Sequence, residues 1–86
     1  MNPMYITFHS VSEALLLEEL LQLQGRESRV VPVPRALSSS CGYAVETGGQ
    51  PEALAALMDE KGVEWEGIYA GEKDGYTPLL RSDASN

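Results

Sequence analysis

The hydrophobic period of this chain switches repeatedly between the value typical of strands and the value typical of helices, within only 86 residues. Apolar residues recur at every second position in a half-buried strand and at every third or fourth position in a helix. The pattern predicts strands at residues 4–8, 28–33, 43–45 and 63–69 and helices at residues 10–24 and 51–61. The resulting order is β-α-β-β-α-β.

Local signals support both predicted helices. Ser10 and Glu13 have the spacing of a capping box, in which each side chain binds the backbone amide of the other residue. Gly25 supplies a C-terminal stop for the first helix, Pro51 suits the first turn of the second, and Gly62 lies just past its end. We therefore expect two helices with defined ends.

Four positions predict how these elements pack. Pro32 and Pro34 place the later part of the second strand at a sheet edge, because proline has no amide hydrogen to donate to a neighbouring strand. Trp65 is expected to anchor the core from the fourth strand. Leu15 falls near the polar side of the first helix and is expected to be exposed.

The order of elements is that of the ferredoxin-like, or split βαβ, sandwich. This α+β fold has a four-stranded antiparallel sheet with two helices on one face. An open α+β sheet with another strand order is the alternative. We expect residues 1–70 to form this single domain, and residues 71–86, which are polar and unpatterned, to form a mobile C-terminal tail.

Composition and charge narrow the classes of function. The chain has 13 Asp and Glu against 6 Lys and Arg, so its field repels nucleic acid and anionic membranes. No apolar run reaches the roughly 20 residues of a membrane span, and the N-terminus lacks the pattern of a secretory signal. One Cys and one His are too few for a soft-ligand metal site. We expect a cytoplasmic protein with no metal, no cofactor, and neither nucleic acid nor membrane as partner.

The only cysteine, Cys41, lies in a loop of small residues. Only the thiolate form of cysteine reacts, and a nearby cation with free backbone amides favours the thiolate. The residues expected to bind or activate the sulfur are Arg35, Ser38, Ser39, Ser40 and Gly42. Gly42 is explained more simply by a local turn than by close approach of a partner. The alternative for Cys41 is that it begins a buried strand and packs as a small hydrophobe.

The expected sheet order brings further groups towards this loop. The first and third strands are antiparallel neighbours in that order, so the end of one lies beside the start of the other. His9, Arg35 and the N-terminus of the first helix are then expected at the same rim as Cys41. The helix N-terminus and Arg35 favour the thiolate, and His9 is placed to exchange protons with it. Taken singly, His9 is more simply explained by a bond to a nearby carbonyl, and Arg35 by a surface charge.

Three segments carry a family resemblance: YITFHS at residues 5–10, VPVPR at 31–35 followed by LSSSCG at 37–42, and EGIY at 66–69. They resemble a short bacterial family of selenium/sulfur carrier-like proteins, formerly a domain of unknown function. The resemblance covers roughly residues 4–69, and its middle motif is the most specific part. It implies that Cys41 carries sulfur or selenium as a persulfide or selenopersulfide. This chain has Ala36 where the family pattern has an acidic residue after Pro-Arg, so that carboxylate has no counterpart here.

The function expected from these observations is that of a carrier protein rather than a stand-alone enzyme. Its partners are then sulfur or selenium donor and acceptor proteins. A non-catalytic regulatory or protein-binding module is the alternative, by analogy of fold alone. A thiol-dependent enzyme is the least favoured interpretation, because the chain has no second cysteine to resolve an oxidised intermediate. The sequence leaves open a homodimer, the choice of sulfur or selenium, and the identity of either partner.

Overall fold

The computed structural model describes residues 3–37, 39–72 and 75–82. Its elements are β1 (Met4–Thr7), α1 (Val11–Leu23), β2 (Ser28–Pro32), β3 (Tyr43–Thr47), α2 (Pro51–Lys61), β4 (Gly67–Glu72) and β5 (Gly75–Arg81). All strands pair antiparallel in one sheet with the order β2-β3-β1-β4-β5. The α+β class is confirmed. In the described part of the chain, no helix has the length and apolar character needed to cross a membrane.

The sheet has five strands, and the prediction of four was wrong. Within the expected mobile tail, residues 71–72 form the end of β4 and residues 75–81 form β5. β5 pairs with β4 from Gly67 opposite Arg81 to Glu72 opposite Gly75. The hydrophobic pattern could not reveal this strand, because most of its side chains are exposed and backbone hydrogen bonds hold it. Residues 83–86 of the expected tail lie outside the described residues.

The fourth strand begins later than the alternation of residues 63–69 predicted. β4 starts at Gly67, yet Val63 and Trp65 before it are buried in the core. The Val63 amide donates to the Met58 carbonyl at 2.8 Å, and the Trp65 indole Nε1 donates to Asp59 Oδ1 at 3.1 Å. This segment therefore packs on the core but lies outside the assigned strands. Because it buries every second side chain, its sequence has the apolar alternation of a strand. The role of Trp65 as a core residue is confirmed.

One row of aliphatic side chains crosses the whole sheet. Ile6 in β1 lies opposite both Val45 and Ile68. Val45 in turn lies opposite Val30, and Ile68 lies opposite Leu80. Residues directly opposite one another share a face of the sheet. On that face they pack with one set of core residues from the two helices: Ala14, Leu17, Leu21, Leu54 and Met58. The strand β2 lies at a sheet edge, as its prolines predicted.

The capping box predicted for Ser10 and Glu13 does not form. Ser10 is the N-cap of α1, but its side chain makes no capping hydrogen bond. The Glu13 carboxylate instead accepts a hydrogen bond from the Glu64 amide at 2.9 Å. Glu13 therefore ties α1 to the segment before β4, a tertiary contact that local spacing cannot indicate.

Tyr5, Glu46 and Arg29 form a charged cluster on the sheet face opposite the core. The Tyr5 hydroxyl donates to Glu46 Oε2 at 2.7 Å, and Arg29 donates from Nη2 to Oε1 at 2.6 Å. The Tyr5 ring also packs edge-on against Tyr76, with ring centroids 5.3 Å apart. The hydrogen bond to Glu46, assisted by burial, raises the pKa of Tyr5 to about 12. The bonds from Tyr5 and then Arg29 lower the pKa of Glu46.

Replacing Glu46 by glutamine should lower the pKa of Tyr5 from about 12 towards its ordinary value of 10.0, because the carboxylate that opposes the phenolate is removed. Tyrosine absorbance titrated against pH measures this shift. Glu60→Gln, an exposed position on α2, is the matched control and should leave the titration unchanged. Equal titrations of the wild type and the Glu46 variant would contradict the assignment.

The same cluster predicts how stability depends on pH. Folding raises the pKa of Tyr5, so its contribution is fully present below about pH 10 and is lost as the pH rises towards 12. Folding lowers the pKa of Glu46, so its contribution is present above about pH 4.5 and is lost as the pH falls through the folded value. Urea unfolding of the Glu46→Gln variant should accordingly show a weaker dependence on pH in both ranges than the wild type shows.

Candidate functional site

Cys41 lies in the loop that connects β2 with β3. It is partly exposed and packs against the edge of the hydrophobic core. Its Sγ donates to the Tyr43 carbonyl oxygen at 3.4 Å. Because β3 begins only at Tyr43, Cys41 is a loop residue ahead of the strand. The thiol is thus partly accessible to solvent while it packs against the core.

The Ser39 hydroxyl is a second polar group that contacts the sulfur. Its Oγ lies 3.4 Å from Sγ of Cys41, 2.9 Å from the Phe8 carbonyl oxygen and 3.2 Å from the Tyr43 carbonyl oxygen. A hydroxyl has one hydrogen to donate and can rotate to place it. Ser39 can therefore donate to a backbone carbonyl or to the sulfur, according to which is the stronger acceptor.

Glu66, just before β4, holds the loop against the end of β1. Its Oε1 accepts from the Ser40 amide at 3.3 Å, and its Oε2 accepts from the Ser40 hydroxyl at 2.9 Å. The same Oε2 lies 3.2 Å from His9 Nδ1. His9 therefore has Glu66 as its partner, and 55% of its side chain is exposed. Glu66 belongs to the EGIY segment at residues 66–69, but local sequence indicates no role for its side chain.

Replacing Glu66 by alanine should loosen the loop at residues 39–42, because it removes the acceptor of both the Ser40 amide and the Ser40 hydroxyl. We expect faster amide hydrogen exchange at Ser40 and little change at β1. Glu64→Ala is the control, since Glu64 lies in the same segment with an exposed side chain. Unchanged exchange at Ser40 in the Glu66 variant would show that the carboxylate does not hold the loop.

Gly42 forms the turn that returns the chain from the thiol to β3. Its φ of +80° is unfavourable for residues with a Cβ atom. Its amide donates to the Ser39 carbonyl at 3.2 Å, and its own carbonyl accepts from the Val33 amide at 3.0 Å. A Cβ placed there would meet nothing within 4 Å. Backbone conformation rather than crowding therefore accounts for glycine at this position.

Arg35 is exposed in the turn between Pro34 and Leu37, which is closed by a 2.9 Å hydrogen bond from the Leu37 amide to the Pro34 carbonyl. Its guanidinium makes no hydrogen bond or ion pair with the residues that the structure describes. The expected contact between Arg35 and the thiol is therefore not among the described interactions. Ser38, also expected at the site, lies outside the described residues.

The structure thus brings most of the expected residues to one end of the sheet. Thr7 at the end of β1 lies opposite Ala44 near the start of β3, which sets Cys41 and His9 at the same rim. The N-terminus of α1 follows His9 directly and belongs to that end. The chain of contacts from the thiol runs through Ser39 to β1, while His9 is joined to the loop through Glu66 and Ser40.

A polar groove lies beside the loop, on the side of β4 and β5. Its volume is about 410 Å³, and its walls come from Ser39, Ser40, Glu66, Tyr69 and Arg81. Cys41 does not line this groove. Ser39 does, and its hydroxyl also contacts the Cys41 sulfur. Within residues 3–37, 39–72 and 75–82, no cluster of three His, Cys, Asp or Glu side chains has a geometry suited to a metal ion.

Comparison with known families bears out the resemblance noted in the sequence. The sequence model of the family described as putative Se/S carrier protein-like matches residues 4–70. This stretch covers β1 through most of β4 and includes both the loop with Cys41 and Glu66. No significant match was found among curated proteins or among solved structures. The match spans most of the chain, so the protein belongs to the putative Se/S carrier protein-like family.

Proposed function

We propose that this protein accepts a sulfur or selenium atom on Cys41 from a donor protein and passes it to an acceptor protein. Family membership supports a sulfur or selenium carrier in general. One observation supports Cys41 as the carrying residue. The only cysteine of the chain is partly exposed in a loop, with its sulfur 3.4 Å from a hydroxyl that can turn towards it.

Loading is a thiol exchange that needs no external oxidant or reductant. The Cys41 thiolate attacks the terminal sulfur of a donor cysteine persulfide, and the donor sulfur–sulfur bond breaks. The donor cysteine leaves as a thiolate, and Cys41 becomes the persulfide. The proton of the Cys41 thiol passes to water or to the departing thiolate. Unloading repeats the exchange with an acceptor thiolate, and a terminal selenium atom follows the same path.

Ser39 is the proposed partner of the charged sulfur. In the thiol form, Cys41 donates to the Tyr43 carbonyl and Ser39 donates to a carbonyl of its own. When the thiol ionises, its donor hydrogen is gone and the sulfur becomes the strongest acceptor within reach of Ser39. The hydroxyl then turns to Sγ and stabilises the anion.

The other residues are proposed to act from further away. His9 faces solvent beside the loop and exchanges protons with the sulfur through water, while Glu66 fixes its ring. Arg35, exposed ahead of the loop, attracts the anionic persulfide of the donor cysteine. Ser40 and Gly42 shape the loop around the sulfur, and a role for Ser38 stays a prediction from the sequence.

Two further expectations accompany this proposal. We propose that the order β2-β3-β1-β4 is that of a ferredoxin-like sheet, to which β5 is added beside β4. We place the protein in the cytoplasm, because a reducing compartment keeps a single unpaired thiol available for exchange.

A two-step transfer assay tests the proposal. The wild-type chain is loaded with radiolabelled sulfur by a persulfide-charged cysteine desulfurase, repurified, and mixed with an acceptor protein that has one reactive thiol. We expect label first on this chain and then on the acceptor, with the Cys41 thiol regenerated. Label that never enters the chain, or that enters and cannot leave except as free sulfide, would overturn the carrier function and favour a regulatory module.

A further inference from the structure

α1 exposes apolar side chains that the core of the molecule does not use. Val11, Leu15, Leu16 and Leu23 are 40%, 51%, 39% and 78% exposed. A surface helix normally restricts its apolar residues to the stripe that faces the core. Contiguous exposed apolar residues are typical of protein interaction sites.

Val11 and Leu15 lie on the flank of α1 that faces β2. Glu18, on the same flank, accepts from the Val30 amide at 3.2 Å through its Oε2. Positions 11, 15 and 18 are spaced by four and three residues, so they form one row along the helix. Because α1 starts at the end of the sheet where β1 finishes, Val11 and Leu15 lie nearer to the thiol than Glu18 does.

The end of β2 lies at the same end of the sheet as the start of α1. Pro32 is exposed and pairs with Tyr43, whose side chain is 43% exposed. The Tyr43 carbonyl is the acceptor of the Cys41 thiol. We call Val11, Leu15, Pro32 and Tyr43 the apolar patch. Its sheet residues belong to β2 and β3, whereas the polar groove lies on the side of β4 and β5, so the sheet order separates the patch from the groove.

We propose that the apolar patch docks the protein that donates sulfur or selenium to Cys41, and that this donor presents an apolar surface edged by Lys and Arg. The inference rests on the proposed function and adds the site and chemistry of its partner. The negative charge around the apolar patch favours a basic donor protein over a second copy of this chain. α1 carries Glu13, Glu18 and Glu19 with no basic residue, and the chain has a formal charge of −7. A second copy would bring the same charges together, whereas a basic surface would be attracted.

The test compares a donor that needs a docking surface with a donor that does not. A persulfide-charged cysteine desulfurase must dock, while inorganic polysulfide reaches the thiol without a protein surface. The readout is the ratio of the desulfurase loading rate to the polysulfide loading rate. Leu15→Arg should lower this ratio by roughly tenfold, because it removes an apolar contact and repels a basic partner. Leu23→Arg, at the other end of α1, should leave the ratio unchanged.

Salt gives a second readout. Desulfurase loading of the wild type should slow as salt is added, because attraction between exposed charges is screened. An unchanged ratio for Leu15→Arg, or an equal fall for Leu23→Arg, would overturn the docking surface. So would loading by polysulfide but by no desulfurase, or a wild-type dimer that Leu15→Arg dissociates. If neither donor loads the wild type, the proposed function itself fails and this surface with it.

Discussion

Replacing Cys41 by serine should abolish sulfur uptake completely while the protein stays folded. The chain has no other cysteine, so the variant has no thiolate to attack a donor persulfide. The substitution keeps the volume of the side chain, and the serine hydroxyl can still donate to the Tyr43 carbonyl that now accepts from the thiol. Intact mass after incubation with polysulfide measures uptake, and circular dichroism measures the fold.

The same variant separates the chemistry of the thiol from binding. Cys41→Ser keeps the apolar patch, so it should compete with the wild type for a cysteine desulfurase and slow wild-type loading. Uptake of sulfur by the serine variant at the wild-type level would show that the atom is carried elsewhere. A variant that resists uptake because it has unfolded would be recognised from its spectrum, and Cys41→Ala then provides the second test.

Replacing Phe8 by alanine should destabilise the fold by about 3–5 kcal/mol, the usual cost of removing a large buried aromatic ring. Phe8 is 0% exposed and belongs to the core. A loss of this size is comparable with the total stability of a small domain, about 5–15 kcal/mol. Phe8 also supplies the carbonyl that accepts from Ser39 at 2.9 Å, so the thiol loop should loosen with the core. Urea unfolding measures the change as a lower midpoint.

Leu15→Ala is the control for that experiment. Leu15 is 51% exposed on α1, and we expect its truncation to change stability by less than about 0.5 kcal/mol. Similar urea midpoints for the Phe8 and Leu15 variants would contradict the placement of Phe8 in the core. A large loss for Leu15 would show that this side chain is covered in the folded chain.

The sequence predicted the elements whose side chains divide between core and solvent. Met4 and Ile6 in β1, and Leu17 and Leu21 in α1, repeat with the period of their element and are buried. β5 escaped prediction because it pairs through its backbone and exposes most of its side chains, so that no period marks it. Residues 63–66 were predicted as part of a strand but precede β4. Their buried Val63 and Trp65 alternate with less buried residues as they would in a strand.

Some residues of the candidate site could be predicted from local sequence, and others could not. A single cysteine in a loop of small residues points to Cys41, Ser39 and Ser40 from local sequence alone. Glu66 is 26 positions from Ser40, and only the pairing of β1 with both β3 and β4 brings the two together. Arg35 lies in a turn of its own with an exposed side chain, and its expected role near the sulfur stays a prediction.

The intact mass of the wild-type chain tests the central claim, that Cys41 accepts a sulfur atom, most directly. The protein is incubated with inorganic polysulfide and separated from excess reagent. Its intact mass is then measured by mass spectrometry before and after treatment with a reductant. We predict a gain of one sulfur atom, located on the peptide that contains Cys41 and removed by the reductant because a persulfide is open to thiol exchange. An unchanged mass, or added sulfur on any other peptide, would contradict the account.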